Sequence, residues 1–89
     1  MAQKAFFLYG ASSGEIRIEV DDDTLTGAQI KAAIKAKDPS FDPTHDLVLE
    51  GQGHDADRVI ADDETVNLAI GHGQGPKKFF SRPPTNFGG

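Results

Sequence analysis

The sequence closes on Asn86-Phe87-Gly88-Gly89, and the residue types there suit one kind of chemistry. Glycine loses more backbone freedom on ordering than any other residue and buries no side chain, so paired glycines are poor structural material. They suit a backbone that must enter a narrow channel. With no Cβ atoms around it, the Gly89 carboxylate can be threaded into an enzyme and presented as a reactant. Phe87, just before the glycines, is expected to anchor the segment, because an aromatic ring adds contact area with few rotatable bonds. Arg82 is a second expected contact. Glycine makes up 10 of the 89 residues and frayed termini often contain it, so the dipeptide takes its meaning from the domain in front of it.

No other residues compete for chemistry. The chain has no Cys, hence no thiol nucleophile, no disulfide framework and no Cys-ligated zinc. His45, His54 and His72 all fall in expected loops, without catalytic or metal-ligand spacing to nearby acids. Asp21-Asp22-Asp23 is not a calcium loop, which would need Asp or Asn at Leu25 and Gly at Thr26. Gly71-His72-Gly73-Gln74-Gly75-Pro76 is not followed by a helical pattern that could aim amide groups at a phosphate, and reads as a flexible break.

The bulk properties narrow the class. A chain of 89 residues is one domain with a small core. A net charge of −5 argues against nucleic acid and anionic membranes as partners. The apolar run Ala5 to Tyr9 is too short for a signal peptide or a membrane span, so a cytoplasmic protein is the expectation.

The elements follow from periodicity. Ala5–Tyr9 reads as a strand, Gly10–Gly14 as a turn, and Glu15–Val20 as a strand with Ile16, Ile18 and Val20 on one side. Phe6 and Leu8 are expected on the inward face of this hairpin. Asp21-Asp22-Asp23 precede a helix, whose N-terminal dipole favours negative charge. Thr26 and Gln29 match a capping box and start that helix. Ile30, Ala33 and Ile34 form its apolar stripe, Lys31, Lys35 and Lys37 its wet side, and Asp38-Pro39 stops it. Phe41 is an apolar anchor in the loop that follows. Asp46–Glu50 is a strand with Leu47 and Leu49 inward and Val48 outward. Arg58–Ile60 is a short strand, and Thr65–Ile70 a further one with Val66, Leu68 and Ile70 inward and Ala69 outward. Val48 and Ala69 are expected side by side on the outer face, as a small apolar docking patch for a conjugation partner.

Two adjacent aromatics, Phe79 and Phe80, should not both stay in water, which makes 77–81 a candidate extra edge strand. The layout is α+β: one amphipathic helix on a mixed sheet of about five strands. Residues 1–81 form the domain, with 71–76 its flexible break, and 82–89 a flexible tail.

The order of elements, with Thr26-Gly27-Ala28-Gln29-Ile30-Lys31, Leu47-Val48-Leu49-Glu50-Gly51, Asp57-Arg58-Val59-Ile60-Ala61-Asp62-Asp63-Glu64-Thr65-Val66 and Lys78-Phe79-Phe80, resembles the β-grasp (ubiquitin-like) domain of prokaryotic ubiquitin-like proteins. It is most similar to the bacterial multi-ubiquitin-type domains found beside activating-enzyme, conjugating-enzyme and JAB-type peptidase partners. The chain departs from them in holding a single domain, and from ubiquitin in its longer tail. The resemblance implies that an ATP-dependent activating enzyme adenylates the Gly89 carboxylate and passes it to a cysteine as a thioester. An amine or hydroxyl of a target protein then receives it. The protein is then a substrate and not an enzyme. It needs no cofactor of its own, since the partner uses the ATP. Two rival readings share parts of this pattern: a sulfur carrier ending as a thiocarboxylate, and a binding module in which Gly88-Gly89 is incidental.

Overall fold

The first hairpin sets the phase of the core. The computed structural model describes residues 5–11, 14–51, 54–69 and 75–83. Within them, β1 (Ala5–Ala11) runs antiparallel to β2 (Gly14–Val20), with Tyr9 opposite Ile16, Phe7 opposite Ile18 and Ala5 opposite Val20. Side chains alternate along a strand, so these residues share the inward face, and Ala5, Phe7 and Tyr9 are buried. Phe6 and Leu8 stand instead on the outer face, opposite Glu19 and Arg17, and are only half-buried. The expectation that they face inward fails because Ala11 pairs with Gly14, and that register decides which residues oppose the Ile pair. Gly14 has φ of +131°, which only glycine adopts without strain.

Helix α1 (Gly27–Lys37) begins as its capping signal predicts. Thr26 Oγ1 accepts from the Gln29 amide at 3.2 Å, and Gln29 Oε1 accepts from the Thr26 amide at 2.9 Å. The next two free donors are met from across the fold. The Gly27 amide donates to the Glu64 carbonyl at 2.9 Å and the Ala28 amide to the Asp62 carbonyl at 3.0 Å. The turn at 61–64 thus sits on the helix N-terminus, secured by Lys31 to Asp62 at 3.0 Å. The triplet Asp21-Asp22-Asp23 does not serve the helix dipole. A short strand, β3 (Thr24–Thr26), comes between, and the first helical turn holds no acid. Ile30 and Ile34 are fully buried against the sheet, with Ala33 partly buried beside them.

This docking explains Gly27. A Cβ there would lie 2.2 Å from the Ala61 carbonyl oxygen, which is backbone and cannot swing aside. Alanine's helix propensity favours the substitution by up to about 1 kcal/mol, but the overlap outweighs it. Gly27→Ala is expected to destabilise the domain by about 1–2 kcal/mol net, measured by urea unfolding. An unchanged midpoint would show that the 61–64 turn yields freely.

The remaining strands are β4 (Asp46–Leu49), β5 (Arg58–Ile60), β6 (Thr65–Asn67) and β7 (Lys78–Arg82). The main sheet has the order β2-β1-β7-β4-β5, and β3 pairs with β6 in a separate two-stranded sheet. Two expectations change here. The 77–81 segment is not at an edge: β7 lies in the middle of the sheet, parallel to β1 and antiparallel to β4. A strand with Phe on both faces suits such an interior place. Phe79 is 1% exposed and meets the Phe7 ring edge-on at 5.3 Å. The 65–70 segment contributes only three strand residues, though Val66 and Leu68 are buried as expected. The Leu68 amide is taken by the Asp23 carbonyl at 2.5 Å. Ile70 and most of the 71–76 break lie outside the described residues. One helix packed on a mixed five-stranded sheet is the β-grasp arrangement of an α+β fold.

Candidate functional site

Gly88, Gly89 and Phe87 lie outside the described residues. The structure describes the base from which they extend. β7 is paired on both sides, and Phe79 is sunk in the core. Arg82, read from the sequence as the first tail residue, is the last residue of β7 and stands opposite Asp46 on β4. Its side chain is exposed, as is Pro83 after it. Pro83 lacks an N–H and cannot continue the ladder. Inward of this exit, the Tyr9 hydroxyl and Ser81 Oγ are 2.8 Å apart. Neither residue was singled out by sequence reasoning. A serine after two phenylalanines carries no local signal that its partner lies on the first strand.

The expected docking patch is not assembled. Val48 sits on β4 between β7 and β5, where it opposes Phe80 and Val59, and is 1% exposed. Ala69 is exposed but follows β6 in the small second sheet, so it is not on a strand next to β4. The outer face instead presents Phe6, Leu8 and Phe80, all half-buried, and Val59 at 41% exposure. Charges cover its β1–β2 side. The Arg17 guanidinium lies 4.0 Å from the centre of the Phe6 ring and pairs with Glu19 at 3.2 Å, and Lys78 reaches Glu15 at 3.8 Å.

A cleft of about 520 Å³ opens beside the exit of the tail, with Tyr9, Phe41, Phe80 and Pro83 among its walls and Asp42 and His45 on its rim. The Thr44 hydroxyl, and then its amide, hold the Asp42 carboxyl below the usual carboxylate range, with His45 3.5 Å away adding to this. The Glu64 carboxyl is lowered chiefly by its hydrogen bond from Arg58, which supports the turn on the helix. Among the described residues, no group of three or more acids and histidines is placed to hold a metal ion. No described helix is long and apolar enough to cross a membrane.

Among the described residues the geometry is that of a sheet whose central strand is the last element before Pro83. A family model described as Multiubiquitin matches residues 15–72, more than half of the sequence. The chain belongs to the multiubiquitin family. Comparison with curated proteins and with solved structures returned no match. The matched stretch runs from β2 to beyond β6, so β7, the central strand of this multiubiquitin-type sheet, and β1 beside it fall outside it. The four segments that carry the family resemblance meet in three contacts, one of them the pairing of β7 with β4. The helix start receives the 61–64 turn, and β4 pairs with β5. Domains of this ubiquitin-like kind are typically not enzymes.

Proposed function

We propose that this ubiquitin-like domain is a protein modifier, a reactant in acyl transfer rather than a catalyst. An activating enzyme joins the Gly89 carboxylate to the α-phosphorus of ATP, and pyrophosphate leaves. A cysteine thiolate of that enzyme attacks the acyl carbon and AMP departs. The thioester passes to a conjugating enzyme, and an amine or hydroxyl of a target protein displaces the thiolate. A JAB-type peptidase is the matching partner for removal. The same carboxylate serves whether Gly89 ends the natural chain or is exposed by trimming. ATP belongs to the activating enzyme, and the domain itself needs no cofactor.

The observation that carries this reading is the position of β7. The last described strand is the centre of the sheet, so the tail departs from a fixed point at Pro83. From there the six residues 84–89 reach at most ~20 Å at ~3.3 Å each, enough to enter a channel while the domain stays outside. Gly88 leaves that segment narrow just before the reacting carboxylate. Phe87 and Arg82 supply contacts that offset the cost of ordering it, on the order of 1–2 kcal/mol per residue.

ATP–pyrophosphate exchange with the cognate activating enzyme tests the proposal. A chain lacking Gly88-Gly89 is expected to be inactive, Gly88→Val severely impaired, and Phe87→Ala to bind more weakly. A β-branched residue at 88 both widens the segment and restricts its backbone. Full activity in the deletion would favour a plain binding module. Intact mass separates the remaining alternative: a protein–protein adduct marks a modifier, and sulfur in place of one oxygen marks a sulfur carrier.

A further inference from the structure

The chain leaves the sheet under unequal restraint. The rungs between β7 and β4 run on to Asp46–Arg82, whereas those between β7 and β1 end at Gly10–Phe80. Ser81 comes next and pairs with the inward-facing Leu47. A polar side chain at an inward position needs a hydrogen-bond partner. Ser81 has one in the Tyr9 hydroxyl, at 2.8 Å.

The Tyr9 ring is itself held. It is 4% exposed and meets the Phe41 ring edge-on at 5.6 Å, with Phe41 3% exposed. Phe41 is tied in turn to the end of the helix. Its amide donates to the Asp38 carbonyl at 2.9 Å, and its carbonyl accepts from Lys35 Nζ at 3.0 Å. A continuous set of contacts therefore runs from the last turn of α1 through Phe41 and Tyr9 to Ser81, one residue before the strand ends.

We propose that Tyr9 is a positioning residue for the tail. Its bond to Ser81 substitutes for the rungs that β1 no longer supplies, and so fixes the direction in which Arg82 and Pro83 leave the domain. This role rests on the modifier reading above. An enzyme that must order the tail has less to order when the base of the tail is already fixed.

Tyr9→Phe is the direct test, because it removes the hydroxyl and keeps the buried ring. Amide hydrogen exchange by NMR is compared in wild type, Tyr9→Phe, Ser81→Ala and the double variant. The same four chains are assayed by ATP–pyrophosphate exchange with the cognate activating enzyme. The Ser81 and Arg82 amides are expected to exchange about three- to tenfold faster in each single variant, the range that one hydrogen bond's net contribution implies. The Phe7 and Leu47 amides stay as in wild type. KM for the domain rises by a similar factor while kcat holds, and the double variant is no worse than either single one. A merely structural role predicts faster exchange across the whole sheet with KM unmoved, and that result overturns the proposal. Unchanged Ser81 and Arg82 exchange in Tyr9→Phe overturns it too, even with a fully active wild type. A wild-type chain that is never adenylated overturns the modifier reading instead, and the tail-positioning role with it.

Discussion

Phe79→Ala is expected to lower the stability of the domain by about 3–5 kcal/mol, the usual range for truncating a buried aromatic. Phe79 is 1% exposed in the central strand, stacked edge-on against Phe7 and lying beside Tyr9 and Leu49 in the neighbouring strands. Those strands are locked by their own pairings and cannot close over the gap, so both the transfer and the cavity contributions are lost in full. A domain of this length carries roughly 5–13 kcal/mol in total, and the variant should approach the edge of folding at room temperature. Urea unfolding monitored by circular dichroism measures it. Phe80→Ala is the internal control: its ring is half-buried on the outer face, and the loss there should be clearly smaller. Equal losses at the two positions would mean that β7 is not seated as described.

Ile34→Ala is expected to cost about 2–5 kcal/mol. Ile34 is fully buried at the contact between helix and sheet, one turn beyond the equally buried Ile30. The helix is held at both ends. The capping box and the 61–64 turn fix its start, and the Asp38 amide donates to the Ile34 carbonyl at its end. It cannot settle into the space left by the missing atoms. Chemical denaturation decides the matter, and a loss under about 1 kcal/mol would place the apolar stripe wrongly.

What the sequence made legible was local. Thr26 and Gln29 announce a helix start because both partners of the capping box lie within one turn, and both bonds form. Ile30, Ala33 and Ile34 follow a period that one element alone dictates. The phase of β1 was hidden, since Phe6, Phe7, Leu8 and Tyr9 are apolar without interruption and offer no alternation. Only pairing with β2 selects Phe7 and Tyr9. Val48 was misjudged for a related reason. Alternation places it correctly on the outer face, but its burial depends on Phe80 and Val59 from strands remote in sequence. The same holds for the Tyr9–Ser81 bond, whose members are 72 positions apart. The Phe79-Phe80 pair showed that the segment must dock, and nothing in its neighbours specified the middle of the sheet.

The central place of β7 also bears on how the protein is made. The strand that separates β1 from β4 leaves the ribosome after every other described strand of the sheet. Until then β1 and β4 hold unfilled edges, and Phe7 lacks the ring it packs against. Contacts this distant in sequence form late, because a long loop must close before they repay its entropy. A nascent chain cut short before Lys78 therefore lacks the wedge that completes the core as well as the residues that follow it.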